Sequence, residues 1–193
     1  MPRVSKKEME NNRTHIEDNS SRLIREKGFQ VSVAELMGAS NLTHGGFYKH
    51  FQSKEELMGI ACQKAFEESV KKWNKRVEDA SNLDNARKSL IEGYLSRDNK
   101  NEPGNGCPIS SLAIDVSREP LDAYVRVVFQ DGIEKLLNIL KETHPNLIAE
   151  SAGDSAINDL SCMVGALILA RATDGELSEK FLTIAKAHLL DEL

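Results

Sequence analysis

Apolar residues recur every three or four positions along almost the whole chain, and no stretch keeps a strand's two-residue alternation. That repeat commits the chain to an all-α fold. Ile16, Ser20, Leu23, Ile24 and Lys27 share helical spacing, and Gly28 ends their segment after a basic last turn. Ser32 is placed to cap a short helix from Val33 to about Gly38. Ser53 and Glu56 predict a capping box, each side chain taking the other's backbone N–H. This box opens a long helix carrying Leu57, Ile60, Ala61, Ala65, Val70 and Trp73, which fades near Ser81-Asn82. Further helices are expected from about Leu83 to Ser96, from Pro108 to about Arg118, and from Pro120 to about Thr143. Two more cover roughly 156–172 and 176–190, the breaks being His144-Pro145 and Thr173-Asp174-Gly175. Arg97 to Gly106, polar and holding Pro103, Gly104 and Gly106, reads as the one real loop.

The 193 residues suffice for a substantial core, as one domain or as a small head on a larger body. The longest apolar stretch, Met163 to Ala172, is about half a membrane span and includes Arg171, so no membrane helix is expected. The N-terminal Met1 to Lys7 lacks the apolar run of a secretion signal. Cys62, Cys107 and Cys162 are widely separated, with neither disulfide-scaffold nor metal-ligand spacing, so a cytoplasmic protein without metal or cofactor is expected. Charge is uneven: residues 1–54 hold nine Lys/Arg against six Asp/Glu, whereas the whole chain is net −5. A basic end on an acidic protein suits an anionic partner there.

Residues 32–51 give that partner a shape. Val33, Leu36 and Met37 form one short apolar face, Leu42 a plug in the turn, and Phe47 and Phe51 a second face. Two short helices about an apolar turn residue make a helix-turn-helix, whose second helix lies in the major groove with its N-terminal residues at base edges. Here that end is Thr43-His44-Gly45-Gly46. Thr43 is placed to cap the helix and aim its amides at a phosphate, and His44 to hydrogen-bond a base or phosphate. Tyr48, Lys49, His50 and Lys54 supply outward donors for the DNA backbone. Each glycine costs a helix about 1 kcal/mol against alanine, so propensity favours a turn at Thr43–Gly46, whereas a groove-binding role favours bare backbone held close to DNA.

Gly28-Phe29, Ser32-Val33, the run Leu42-Thr43-His44-Gly45-Gly46-Phe47-Tyr48-Lys49-His50-Phe51, and Ser53-Lys54-Glu55-Glu56-Leu57 together resemble the DNA-binding signature of the TetR/AcrR family of transcriptional regulators. The resemblance covers about residues 10–60. It implies a three-helix head at 1–54, a helical ligand-binding and dimerisation body at 55–193, and about nine helices in all. It further implies Thr43, His44, Gly45 and Tyr48 near the major groove, and His50 and Lys54 on phosphates. Phe47, Phe51, Leu36 and Leu42 are then core. Met37, Ser40 and Asn41 depart from the small-residue and glycine pattern usual between the two helices, and the link from Phe29 to Ser32 is about one residue short. The body resembles one subgroup through Gly106-Cys107-Pro108-Ile109-Ser110-Ser111-Leu112 and Val164 to Ala172.

Within the body, Cys107 falls between Gly106 and Pro108 at an expected helix start, where the dipole and free amides favour a thiolate. It reads either as a sensor of electrophiles or oxidants or as a small, inert core residue. Trp73, Tyr94, Tyr124 and Phe129 are candidates for an inducer cavity or plain core. The resemblance implies a two-fold homodimer face through Ser161, Gly165, Ala166 and Leu169, with Phe181 and Ile184 on the last helix; an ordinary intrachain helix pair is the alternative. The expected partners are operator DNA, a second copy and a small-molecule inducer. No phosphate loop, metal-spaced His/Cys set or nucleophile motif points to an enzyme. A helical protein-interaction module with an incidental basic head is the remaining rival.

Overall fold

The computed structural model describes residues 5–144 and 149–190. Among them are nine α-helices and two short 3-10 segments, with no strand. Helix α1 (Lys6–Lys27) starts at Ser5, whose side chain accepts the Glu8 N–H, and stops at Gly28. Gly28 has φ +74°, and a Cβ there would come within 2.8 Å of Asp115 Oδ2. The positive φ of the turn therefore calls for glycine. Helix α2 (Val33–Gly38) is capped by Ser32, and Glu35 completes a reciprocal capping box. A 3-10 segment (His44–Lys49) follows, then α3 (Lys54–Glu78), α4 (Leu83–Tyr94), α5 (Arg97–Asn101), a 3-10 turn (Pro103–Asn105), α6 (Pro108–Arg118), α7 (Tyr124–Glu142), α8 (Ala149–Arg171) and α9 (Gly175–Leu189). No helix among the described residues is long and apolar enough to cross a membrane.

Helix α3 is the spine, packing against α1 at its start and against α7 and α4 further on. One continuous buried cluster runs from Ile16, Ile24, Leu36 and Phe47 through Leu57 and Phe66 to Leu112, Leu136 and Met163. An apolar face on each helix supplies it, and its removal from water is the main driving force for the fold.

Four expectations need correction. The stretch 97–106 is no plain loop: the Ser96 side chain caps α5 by accepting the Asn99 N–H, and Pro103 opens the 3-10 turn. Pro120 does not begin α7. Residues 120–123 form a turn closed by the Ala123 N–H on the Pro120 carbonyl, and Arg126 ties that turn down through the carbonyls of Glu119 and Ser117. Helix α8 begins well before Ala156, with Ala152 buried on its inner face. At the start of α3, Ser53 accepts the Glu56 N–H, but the Glu56 carboxylate takes the Gln52 N–H instead of closing the box on Ser53. Met1 to Val4 and Pro145, half of the expected break after α7, lie outside the described residues.

Candidate nucleic-acid interface

The turn between α2 and the 3-10 segment is built on Asn41. At φ +57° it is the single non-glycine residue with positive φ among the described residues. The Leu42 N–H reaches back to the Met37 carbonyl and the Asn41 N–H to the Gly38 carbonyl. These two bonds make a Schellman closure, and asparagine is among the few side chains that tolerate the left-handed position. Asn41 thus occupies without distortion a site that favours glycine. The turn is docked on α1 by Asn19, whose amide donates to the Ser40 hydroxyl at 3.1 Å.

Beyond the turn, Thr43 stands at the N-cap without a side-chain hydrogen bond, so its hydroxyl does not satisfy the helix amides as expected. His44 to Lys49 forms six residues of 3-10 helix, a tighter coil than the expected α-helix. Phe47 is buried and packs on Phe51 with ring centres 5.5 Å apart. The same coil turns Thr43, His44, Gly45, Tyr48 and Lys49 outward, with Tyr48 71% exposed. A Cβ on Gly45 would meet no atom within 4 Å, whereas one on Gly46 would touch Met37 at 3.5 Å. No contact within the chain requires the bare backbone at Gly45.

His50 is half-buried, and burial, followed by the Arg13 and Lys49 charges, holds its imidazole below its ordinary pKa. The Lys54 Nζ donates to the Phe29 carbonyl at 2.6 Å, clamping the start of α3 to the link after α1. Arg13 is a residue the sequence reading missed. Its guanidinium lies 4.5 Å from the Phe51 ring centre and donates to the His50 carbonyl and to Glu56. It fixes the end of the 3-10 segment against α1. Its signal was only an ordinary i,i+4 pairing with Glu17.

The five sensing candidates divide between sites. Trp73, Tyr94 and Cys107 line one cavity of about 280 Å³ between α3, α4 and the segment before α6, the two rings meeting edge-on at 6.2 Å. Tyr124 instead lines an open cleft of about 870 Å³ between α3 and α7. Phe129 packs edge-on against Phe66. Cys107 stands at the N-cap of α6, as expected, and the Ile109 and Ser110 amides, Tyr94 and Arg171 all favour its thiolate. Burial outweighs them and pushes the thiol's pKa up. Of the two readings of Cys107, this direction agrees with a core thiol less acidic than a free cysteine. Cys62 is fully buried and pushed up to about 12.

A second feature missed in the sequence lies beside Cys107. The Arg25 guanidinium, with its side chain fully buried in α1, donates to the Gly106 carbonyl at 3.0 Å, to the Ser21 carbonyl and to Glu68 at 2.7 Å. On α8 and α9, Ser161, Leu169 and Ile184 are exposed, and Gly165 and Phe181 half-buried. Ile157, Ile168 and Leu177 extend this exposed apolar surface. Ala166 departs from that set, being 8% exposed and part of the chain's own core.

The head is where known proteins agree with this chain. Residues 16–59 match the bacterial regulatory proteins of the tetR family. The HTH-type transcriptional repressor DhaR of Mycobacterium sp. strain GP1 is 29% identical over 115 residues, 59% of this chain and 56% of that protein. The transposon Tn10 TetC protein of Escherichia coli is 37% identical over 79 residues, 40% of each. The chain thus spans about half the length of the curated relatives it matches. A TetR-family transcriptional regulator from Cytophaga hutchinsonii shares the fold at TM-score 0.81 and 19% identity, over 98% of this chain and 96% of that one. With its helix-turn-helix at 33–49, the head of this chain is thus similar to that of the bacterial tetR-family regulatory proteins, and the all-helical body behind it shares the fold of such regulators.

Proposed function

We propose that this DNA-binding regulator is a homodimeric repressor, released from its operator by a small molecule or by modification of Cys107. The observation that carries the reading is the outward face of the 3-10 segment. Thr43, His44, Gly45, Tyr48 and Lys49 are exposed, around a glycine the fold does not need, with the Tyr48 ring resting edge-on against Phe47. Thr43, His44 and Gly45 meet base edges. Tyr48, Lys49, His50 and Lys54 hold phosphates. Residues 1–54 act as the head and 55–193 as the body.

A single helix-turn-helix reads too few base pairs for useful specificity, so function calls for two heads. The exposed apolar strip on α8 and α9, with open space over Gly165, suits a second copy. The cavity at Trp73, Tyr94 and Cys107 is the inducer site of this reading, with the α3–α7 cleft at Tyr124 as a second place for a ligand.

The test is to select genomic fragments bound by the full chain and measure transcription of the adjoining genes with and without it. Recovery of a pseudo-palindrome, with transcription rising when the protein is removed, supports the repressor. Recovery of random fragments with no common site overturns it, as does transcription that falls on removal.

A further inference from the structure

The turn between α6 and α7 meets the start of α3 and the link after α1 around a cavity of about 370 Å³. That size falls within the range of about 300–1,000 Å³ in which small molecules bind. Its floor is apolar: Phe29, Met58 and Val125 are buried, and Pro120 and Ala123 add to it. Tyr124 is its aromatic wall. A Cβ on Gly59 would come within 2.4 Å of Tyr124 Cδ1, so the ring lies directly against the bare backbone of α3. Its hydroxyl donates to Gln63 Oε1 at 3.3 Å. The residue is nonetheless 54% exposed. The ring is thus fixed on α3 while about half of its surface stays open.

Charge gives the cavity a sign. Four carboxylates line it, from Glu55, Glu56, Glu119 and Asp122, against one ammonium, from Lys54. The Lys54 Nζ is already committed to the Phe29 carbonyl. Glu56 is committed too, to Arg13 and the Gln52 N–H, whereas Glu119 and Asp122 make no ion pair among the described residues. Their backbone is fixed all the same, since Arg126 holds the Glu119 carbonyl and the Ala123 N–H closes the turn on Pro120. Among the described residues no three carboxylates, histidines or cysteines converge to hold a metal ion. An aromatic face and a carboxylate rim attract the same sign of charge, and an apolar floor is a poor place for a fully hydrated ion. These features agree on one ligand class, an organic cation with an apolar body.

We propose that this cavity binds a quaternary ammonium whose charged head lies against Tyr124, Glu119 and Asp122 and whose apolar body covers Phe29, Met58 and Val125. The site is separate from the cavity at Trp73 and Tyr94, and it shares only Tyr124 with the α3–α7 cleft. It goes beyond the function proposed above and stands whether or not a ligand releases DNA.

The test titrates the full chain, without DNA, with benzyltrimethylammonium and with neopentylbenzene, in which carbon replaces the charged nitrogen, and follows both by ligand-observed NMR. The ammonium should bind, and the uncharged analogue should bind several-fold more weakly. Glu119→Gln combined with Asp122→Asn, both outside the buried core, should weaken the ammonium several-fold and leave the analogue unchanged. Tyr124→Leu should also weaken the ammonium. Asp131→Asn, which changes the α3–α7 cleft and not this cavity, should alter neither. Equal binding of the two ligands overturns the inference, as does no binding of the ammonium at millimolar concentration. Ammonium binding that is unchanged in the folded Glu119/Asp122 or Tyr124 variant overturns it too. Loss on Asp131→Asn also does so, by putting the cation in the α3–α7 cleft.

Discussion

Replacing Gly45 with alanine adds one methyl group where the chain itself has no atom within 4 Å. Gly45 is not among the positive-φ residues, so an L side chain fits its backbone. Such a change stabilises a fold by about 0.4–1 kcal/mol, mainly by restricting the unfolded chain. For a protein of this length that raises Tm by about 1–4 °C. DNA binding should move the other way. A methyl group projects about 1.5 Å from the backbone, enough to break any hydrogen bond made by a backbone held in contact with a phosphate or base. Each charge-assisted bond lost costs about 1.5–3 kcal/mol, so affinity should fall about 10- to 100-fold per head. Thermal unfolding and fluorescence anisotropy on a labelled operator read the two effects separately. A Gly45→Ala protein that binds as tightly as the parent refutes the close approach. One that melts lower shows the glycine serves the fold.

Lys54→Ala should weaken binding to all sequences alike and flatten the salt dependence by about one phosphate contact, whereas His44→Ala should change the ranking of operators; titrations at several salt concentrations separate them. Because burial and neighbouring cations lower the His50 pKa, the folded head loses stability as pH falls below about 6.5. A phosphate facing the protonated ring reverses the balance in the complex, so operator affinity should rise over the same interval and lose that rise in His50→Gln. A Cβ on Gly165 would meet no atom of its own chain within 4 Å, so Gly165→Leu should leave the helical content intact while lowering dimer content in sedimentation. Asp159, 6% exposed, holds Arg87 through two hydrogen bonds of 3.0 Å and meets His144 at 3.1 Å. Asp159→Ala should cost about 3–5 kcal/mol by stranding that guanidinium, read as a lower urea midpoint.

What the sequence revealed, it revealed through local signals. Gly28 marked the end of α1 because a helix stop with positive φ needs glycine, and Ser32 and Pro108 marked helix starts because caps and first-turn prolines act within one turn. Helix α5 and the first turn of α8 stayed hidden because their residues are polar, and nothing apolar and periodic announces them. The start of α7 was misplaced because a proline opens a turn as readily as a helix. Within the candidate site, Thr43 to Lys49 was legible because exposure follows from the positions of Phe47 and Leu42. Arg13 and Arg25 were not, since they depend on pairings across 37 to 81 residues, and the split of the aromatics follows only from how the helices pack. The two readings of Cys107 could not be told apart for a related reason. The helix amides that favour a thiolate are local, but the burial that outweighs them comes from α3, α4 and α8.

Those long-range pairings bear directly on how a body could govern a head. Arg25 belongs to α1, and its charge is satisfied by Glu68 on α3 and by the carbonyl of Gly106, the residue before Cys107. The Lys72 Nζ on α3 donates to the neighbouring Asn105 carbonyl at 2.8 Å. Lys54 joins α3 to the link after α1, and Arg13 joins α1 to the end of the 3-10 segment. A buried guanidinium deprived of one partner is costly, and a carbonyl turned from it strands both groups. On the proposed function, displacement of Gly106 by a ligand in the adjoining cavity would therefore either leave the Arg25 charge unsatisfied or carry α1 along. Because α1 also holds Ser40 and the His50 carbonyl through Asn19 and Arg13, its movement carries the DNA-facing segment with it. In the homodimer proposed above, two heads would need to keep one spacing to fit an operator, so a small rotation of α1 would suffice to lose it.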